Sequence, residues 1–335
     1  MRTRKVVIIG AGHVGSHCAL CLMFGHLVNQ IVLVDVNRER AEAEAMDLND
    51  LASGLGDGFE IRAGSYADCK DAHFIIMTAG KGRRPGQSRL DLLGGTLRIL
   101  DDIVPEIKKS GFHGILISVS NPSDIVTEYL YRGLDLPRGH VFGTGTALDS
   151  ARLRRVLGKE LKVDARQVDA IVMGEHGDSS FIPTSHISIN GIPLREYMKL
   201  AGRGREGIDF TEVKKKVREA GSRIIAGKNV TEFGIASVVV EIVTSILHNE
   251  RTILPLSVHL DGEYGEKDLS IGVPAILSEQ GVEKVLEYDL NNSEIQAFHA
   301  SCDVVRQKLD AATPLTSVFQ RGKDIADNIS QNIRR

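Results

Sequence analysis

Asp149 and Arg152 stand three residues apart in the stretch Gly143-Thr-Gly-Thr-Ala-Leu-Asp149-Ser-Ala-Arg152. On a helix, positions i and i+3 share a face, so this spacing points a carboxylate and a guanidinium into the same space. The carboxylate suits an imidazole partner, and the planar guanidinium fork suits a carboxylate on a ligand. An imidazole is offered by His176, in Gly174-Glu-His176-Gly-Asp178, where flanking glycines suit a tight, backbone-close position. Taken alone, His176 reads as a satisfied structural histidine; it gains meaning only beside Asp149 and Arg152. No second histidine sits at zinc spacing and H-E-x-x-H is absent, so no metal site is expected.

A second constellation lies at the start of the chain. Lys5-Val-Val-Ile-Ile-Gly10 is a continuous apolar run ended by glycine, as a buried parallel strand would be. It enters Gly10-Ala-Gly12-His-Val-Gly15, then a helical pattern with Val14, Cys18, Leu22 and Leu27 near one face, then Ile31-Val-Leu-Val-Asp35. This is the dinucleotide fingerprint in its strand–helix–strand context. Gly10 allows the turn, Gly12 lets the backbone approach a pyrophosphate, and Gly15 permits close helix–strand packing. The helix N-terminus offers free N–H groups and its dipole to phosphate. Asp35 can accept from both ribose hydroxyls and would repel a 2′-phosphate, which favours NAD over NADP. A glycine-rich turn without a ligand, or an adenosyl-cofactor methyltransferase, shares part of this pattern.

These residues need a scaffold. Strand-like runs recur at 59–62, 73–78 and 114–120, with helical patterns at 38–51 and 90–109 between them. The alternation predicts an α/β fold with a doubly wound parallel sheet, whose strand ends line a cofactor crevice. After residue 145 the pattern changes. Helices are expected at 146–157, 210–226, 231–248 and 291–309, a strand at 168–173, and a hairpin at 185–193 turning on Asn190-Gly191. Further strands at 253–258, 269–273 and 282–286 suggest an antiparallel sheet. The basic stretch Lys81-Gly-Arg-Arg-Pro-Gly-Gln-Ser-Arg89 reads either as a solvated turn or as a lid over an anionic substrate.

Composition sets the outer bounds. At 42% hydrophobic and 25% charged, the 335-residue chain is an ordinary globular sequence of one large or two ordinary domains. A net charge of −3 argues against nucleic-acid binding, and no apolar run approaches a membrane span. Cys18, Cys21, Cys69 and Cys302, in a chain with no signal-like segment, read as reduced thiols of a cytoplasmic protein. Cys18-x-x-Cys21 falls inside a helix and reads as two small buried side chains.

With these motifs together, the chain resembles the NAD-dependent L-lactate and malate dehydrogenases from residue 4 to about 311, closest to the lactate and L-2-hydroxyisocaproate branch. The resemblance rests on Gly10–Gly15, Asp35, Arg89, Ser120-Asn-Pro122, Leu148-Asp-Ser-Ala-Arg152 and Gly174-Glu-His-Gly-Asp178. It implies a Rossmann NAD-binding domain over 1–145, a C-terminal α+β catalytic domain over 146–312 and an extension over 313–335. It implies His176 as proton donor and acceptor, Asp149 as its orienting partner, Arg152 as the grip on the substrate carboxylate, and Arg89 closing over the carbonyl. Asn121 would lie near nicotinamide and substrate. Val14, Arg40, Tyr66, Thr78, Ala79, Gly80, Val119 and Thr144 fall where the family contacts NAD. It also implies a homodimer or homotetramer.

The substrate is read from positions that disagree. Arg83 falls where malate enzymes carry an arginine and lactate enzymes a glutamine. A guanidinium there matches a second carboxylate, and leaving it buried and unpaired over a methyl group is costly. Against it stand Glu175, Thr231 and Gly143-Thr-Gly-Thr, each of the lactate-branch form. The balance favours L-lactate dehydrogenase, with malate dehydrogenase as the alternative and a non-catalytic NAD-binding regulator as a remote one. Arg154 keeps an arginine that sugar-bisphosphate-activated relatives use. Asp169 replaces the accompanying histidine and would repel phosphate, so no strong activation by fructose 1,6-bisphosphate is expected. In the extension, Ile325, Ile329 and Ile333 repeat at helical spacing, consistent with an amphipathic helix folded back on the chain or lying in an oligomer contact.

Overall fold

The computed structural model describes residues 4–56, 58–80, 89–202 and 207–319, and the side chains of residues 89–92 lie outside that description. The first half alternates strand and helix: β1 (Lys5–Ile9), α1 (His13–Phe24), β2 (Gln30–Val34), α2 (Arg38–Leu55), β3 (Glu60–Ala63), β4 (Phe74–Met77), α3 (Arg89–Ser110), β5 (Ile115–Ser118), α4 (Ser123–Gly133) and β6 (Val141–Gly143). The six strands run parallel in the order β3-β2-β1-β4-β5-β6. Val6 to Ile9 and Phe74 to Met77 are buried throughout. Helices cover both faces of the sheet, which is why these strands are continuously apolar rather than alternating. The order reverses at β1 and β4, and a ligand crevice forms at such a reversal.

The second half contains α5 (Ala147–Leu161), β7 (Val168–Asp169), β8 (Ser188–Ile189), β9 (Ile192–Pro193), α6 (Leu194–Leu200), α7 (Phe210–Lys228), α8 (Phe233–His248), β10 (Ile253–Asp261), β11 (Lys267–Ser278), β12 (Gly281–Val285) and α9 (Asn292–Ala312). The antiparallel strands β10, β11 and β12 do not form a sheet of their own. β10 joins β6 at Ser257 and Gly143, so one nine-stranded sheet crosses from the first half into the second. Gly143 permits this approach, because a Cβ there would run into the Thr127 hydroxyl and lie 3.2 Å from Ser257 Cβ. The expected hairpin forms: Asn190 (φ 49°) and Gly191 (φ 81°) both take the left-handed conformation that a two-residue turn needs.

The expected strand over 168–173 is shorter than its sequence suggests. It pairs only at Val168 and Asp169. Beyond them, α5 takes over the backbone of Val172: Thr146 donates to its carbonyl at 2.6 Å, and its N–H donates to Ser150 Oγ at 2.8 Å. The sequence pattern predicts neither α4 nor α6. At the C-terminal end, residues 313–319 fold back on the chain: Phe319 is buried edge-on against Tyr129 of α4, and Thr316 donates to Asp101 of α3. Ile325, Ile329 and Ile333 lie outside the described residues. Cys18, Cys69 and Cys302 are buried, Cys21 is half-buried, and all four are free thiols. No helix among the described residues is long and apolar enough to cross a membrane.

Candidate active site

The strand ends at the sheet reversal are tied together by short polar bonds. Gly10 N–H donates to Val34 O at 2.7 Å, Thr78 Oγ1 donates to Gly10 O at 2.7 Å, and Ser120 Oγ donates to Ala79 O at 2.6 Å. Gly10 has φ +106°, and a Cβ on it would lie 2.7 Å from Ala79 N. A Cβ on Gly15 would collide with the Gly10 carbonyl. Gly12 differs: its Cβ would meet nothing within 4 Å, so this face of the α1 N-terminus is open to a phosphate. Asp35 caps β2 with its carboxylate accepting from Ala11 N and Asn37 N, both at 2.8 Å. A carboxylate has room for about four acceptor contacts, which leaves capacity for ribose hydroxyls. The cradle therefore fits NAD by shape and by donor set.

Next to this cradle is a cavity of about 360 Å³ between α5, α7, the start of α8 and the strand ends. Val14, Val119, Asn121 and Thr144 line it from the first half, and Asp149, Arg152, His176 and Thr231 from the second. The remaining cofactor candidates lie outside it: Gly10, Gly12, Gly15, Asp35 and Thr78–Gly80 around the cradle, Arg40 exposed on α2 beside Glu44, and Tyr66 half-buried in a short turn. Arg83 lies outside the described residues, and Arg89 is described only as the first residue of α3.

His176 Nδ1 donates to Asp149 Oδ2 at 2.7 Å, and Arg152 donates to Asp149 Oδ1 at 3.1 Å. The carboxylate can only accept, so the Nδ1 proton is fixed and Nε2 is left for the reacting proton. The His176 side chain keeps 28% exposure, against 13% for Asp149. Burial pulls the imidazole's proton affinity down. The charge and hydrogen bond of Asp149 outweigh this, with help from Asp124, and hold it above the ordinary histidine value. Burial likewise pushes Asp149 up, but His176 and Arg152 hold its carboxyl below the usual range.

Sequence reasoning missed Asp124. It is fully buried in the first turn of α4, accepts from the backbone N–H of His176 at 2.8 Å and from Ser257 Oγ at 2.6 Å, and so anchors the loop that presents His176. Burial pushes its carboxyl up to about 6 against those two hydrogen bonds. An acid just after Pro122 is a helix-start signal that could have drawn attention to it. Gly221 and Val217 of α7, also missed, complete the cavity wall, with Asp178 and Arg218 paired at 3.0 Å at its edge. Among the described residues, no cluster of three or more His, Cys, Asp or Glu could hold a metal ion.

A dinucleotide cradle opening onto an imidazole polarised by a carboxylate, with a guanidinium alongside, is the arrangement of a nicotinamide-dependent dehydrogenase. The comparisons with known proteins agree. Residues 4–143 match the NAD-binding domain model of the lactate/malate dehydrogenases, and residues 146–315 match the alpha/beta C-terminal domain model of the same group. The chain is 40% identical over 304 residues to L-lactate dehydrogenase 3 of Bacillus anthracis, covering 91% of this chain and 96% of that one. It is also 40% identical over 307 residues to L-lactate dehydrogenase 1 of Bifidobacterium longum, covering 92% and 97%. The crystal structure of the minor L-lactate dehydrogenase from Enterococcus mundtii in its ligand-bound form superposes with a TM-score of 0.88 at 40% identity, covering 92% of this chain and 98% of that one. The chain belongs to the lactate/malate dehydrogenase family and is an NAD-dependent oxidoreductase of small 2-hydroxy acids.

Proposed function

We propose that this enzyme is an L-lactate dehydrogenase, interconverting pyruvate and L-lactate. The observation that carries the reading is the joined triplet Asp149–His176 and Asp149–Arg152 beside the cradle. When bound, NADH supplies a hydride to the carbonyl carbon. His176, protonated, donates the Nε2 proton to the carbonyl oxygen as it becomes an alcohol, and takes it back in the reverse direction. Asp149 orients the ring and stabilises its charged form. Arg152 binds the substrate carboxylate, Arg89 polarises the carbonyl, and Asn121 and Thr231 shape the space beside them. Gly10, Gly12, Val14, Gly15, Asp35, Arg40, Tyr66, Thr78, Ala79, Gly80, Val119 and Thr144 hold the dinucleotide. Residues 1–145 form the cofactor domain, 146–312 the substrate domain and 313–335 an extension.

The choice of pyruvate is supported by the L-lactate dehydrogenases to which the chain is similar along nine-tenths of its length. Arg83 favours oxaloacetate as the second reading. The enzyme works as a homodimer or homotetramer, a reading supported by the exposed apolar side chains Ile224 and Phe233 along one groove. It works in the cytoplasm, as its four free thiols suggest.

The test is kcat/KM for NADH oxidation with pyruvate and oxaloacetate side by side, with His176→Ala as control. Pyruvate preference is expected, with a drop of about 10³-fold in the variant. Oxaloacetate preference transfers the enzyme to the malate reading. Undiminished turnover in His176→Ala overturns the proton-transfer assignment.

A further inference from the structure

The loop carrying His176 is held by α4 through Asp124, and from the opposite side by α9. Glu175 N–H donates to Ser301 Oγ of α9 at 2.8 Å. Gly174, with φ +92°, packs so closely on that hydroxyl that a Cβ would lie 2.6 Å from it. The Glu175 side chain then folds back over the loop, and a Cβ on Gly177 would fall 2.5 Å from Oε1. Its buried carboxylate accepts from Ser179 Oγ at 2.5 Å and Ser179 N at 3.2 Å. The remaining oxygen pairs with the Lys308 ammonium, reaching in from α9. Ser179 Oγ also lies 2.9 Å from Ser301 Oγ, so the clamp closes on itself.

Glu175, Ser179, Ser301 and Lys308 do not themselves line the cavity, yet they hold the residues on both sides of His176, including Gly177, which does. Lys308 keeps a third of its side chain exposed, but Glu175 is only 3% exposed, and removing the ammonium leaves that buried carboxylate uncompensated. We propose that Lys308 is a positioning residue for catalysis: paired with Glu175, it fixes residues 174–179 so that the His176 imidazole stays aligned with Asp149. The inference rests on the reading of His176 as the proton donor. The alignment matters because the bond to Asp149 is what holds the imidazole charged. A ring that drifts from Asp149 loses that support, while Arg152 on α5 opposes the charge and Asp124 on α4 favours it. Asp178 and Arg218 of α7 neutralise each other at the cavity edge.

The experiment is steady-state pyruvate reduction by the full-length enzyme from pH 5 to 9.5, alongside NADH binding. For Lys308→Met, kcat/KM for pyruvate is expected to fall about 10-fold. The alkaline limb of its pH profile should move to lower pH, with the NADH Kd unchanged within two-fold. Lys308→Arg should restore both. Glu175→Gln should show the same displaced limb, and adding Lys308→Met to it should change little, because the two act as one unit. If Lys308→Met does not fold, Glu175→Gln and Lys308→Arg decide alone: a wild-type limb in Glu175→Gln overturns the proposal. A wild-type limb in a folded Lys308→Met overturns it as well. His176→Ala separates the two levels. If that variant is inactive while Lys308→Met behaves as wild type, only the positioning role fails. If His176→Ala remains active, the reading beneath it fails.

Discussion

Asp124 is buried, yet it holds two hydrogen bonds that a carboxylate makes best. Because its folded proton affinity is raised, to about 6, the stability it contributes is complete below the ordinary carboxyl value. That stability is lost as pH rises through about 6. From pH 5 to pH 7.5 the loss is on the order of 1 kcal/mol, about tenfold in the folding equilibrium. Asp124→Asn removes this titration. The difference in unfolding free energy between pH 5 and pH 7.5, measured by urea denaturation, is expected to shrink by that amount; an unaltered difference would count against the assignment. At this scale the sequence disclosed what spacing can disclose. Asp149 and Arg152 share a helix face, and His176 is marked by its glycines. Asp124 was hidden because its partner Ser257 is far along the chain, and because α4 buries Ser123, Asp124, Thr127 and Glu128, polar residues that are ordinarily on the surface.

The N-terminus of α1 separates two jobs that its glycines perform. Gly12 has an extended backbone, φ −82° and ψ −176°, that any residue can adopt, and its missing side chain faces open space. Gly15 faces the Gly10 carbonyl. Gly12→Ala is therefore expected to keep the wild-type Tm while raising the NADH Kd at least 10-fold, since a methyl group stands where phosphate approaches the helix dipole. Gly15→Ala should lower the Tm. Equal NADH affinity in Gly12→Ala, by fluorescence titration, would mean the dinucleotide lies elsewhere. The elements themselves were legible wherever one periodicity ran unbroken, as in β1, β2, α2 and α9. They were least legible where a side chain from another element satisfied the backbone. Val172 is such a case, its strand-like sequence claimed by the hydroxyls of Thr146, just before α5, and of Ser150 within it.

Across the whole molecule, the alternation of the first half predicted the parallel sheet. It could not reveal that β10 to β12 extend it, because the join is one bridge at a glycine. A fold-back of the extension was one of its two sequence readings, but the residue that makes it was opaque: Phe319 finds its place by meeting Tyr129 and Arg132 of α4. Phe319→Ala should cost about 3 kcal/mol, as emptying a buried aromatic site does. Guanidinium denaturation would register it, and a change below about 0.5 kcal/mol would show the contact to be incidental.

That contact also sets an order of events during synthesis. The face formed by α3 and α4 emerges from the ribosome long before residue 319, and domains begin to fold from the N-terminal side as they appear. The nascent first half must therefore wait with a Phe-sized gap beside Tyr129. Premature termination shortly before that codon would release a chain whose catalytic residues are all present but whose wall beside Tyr129 is unfinished, and the apolar surface left open there is of the kind chaperones bind.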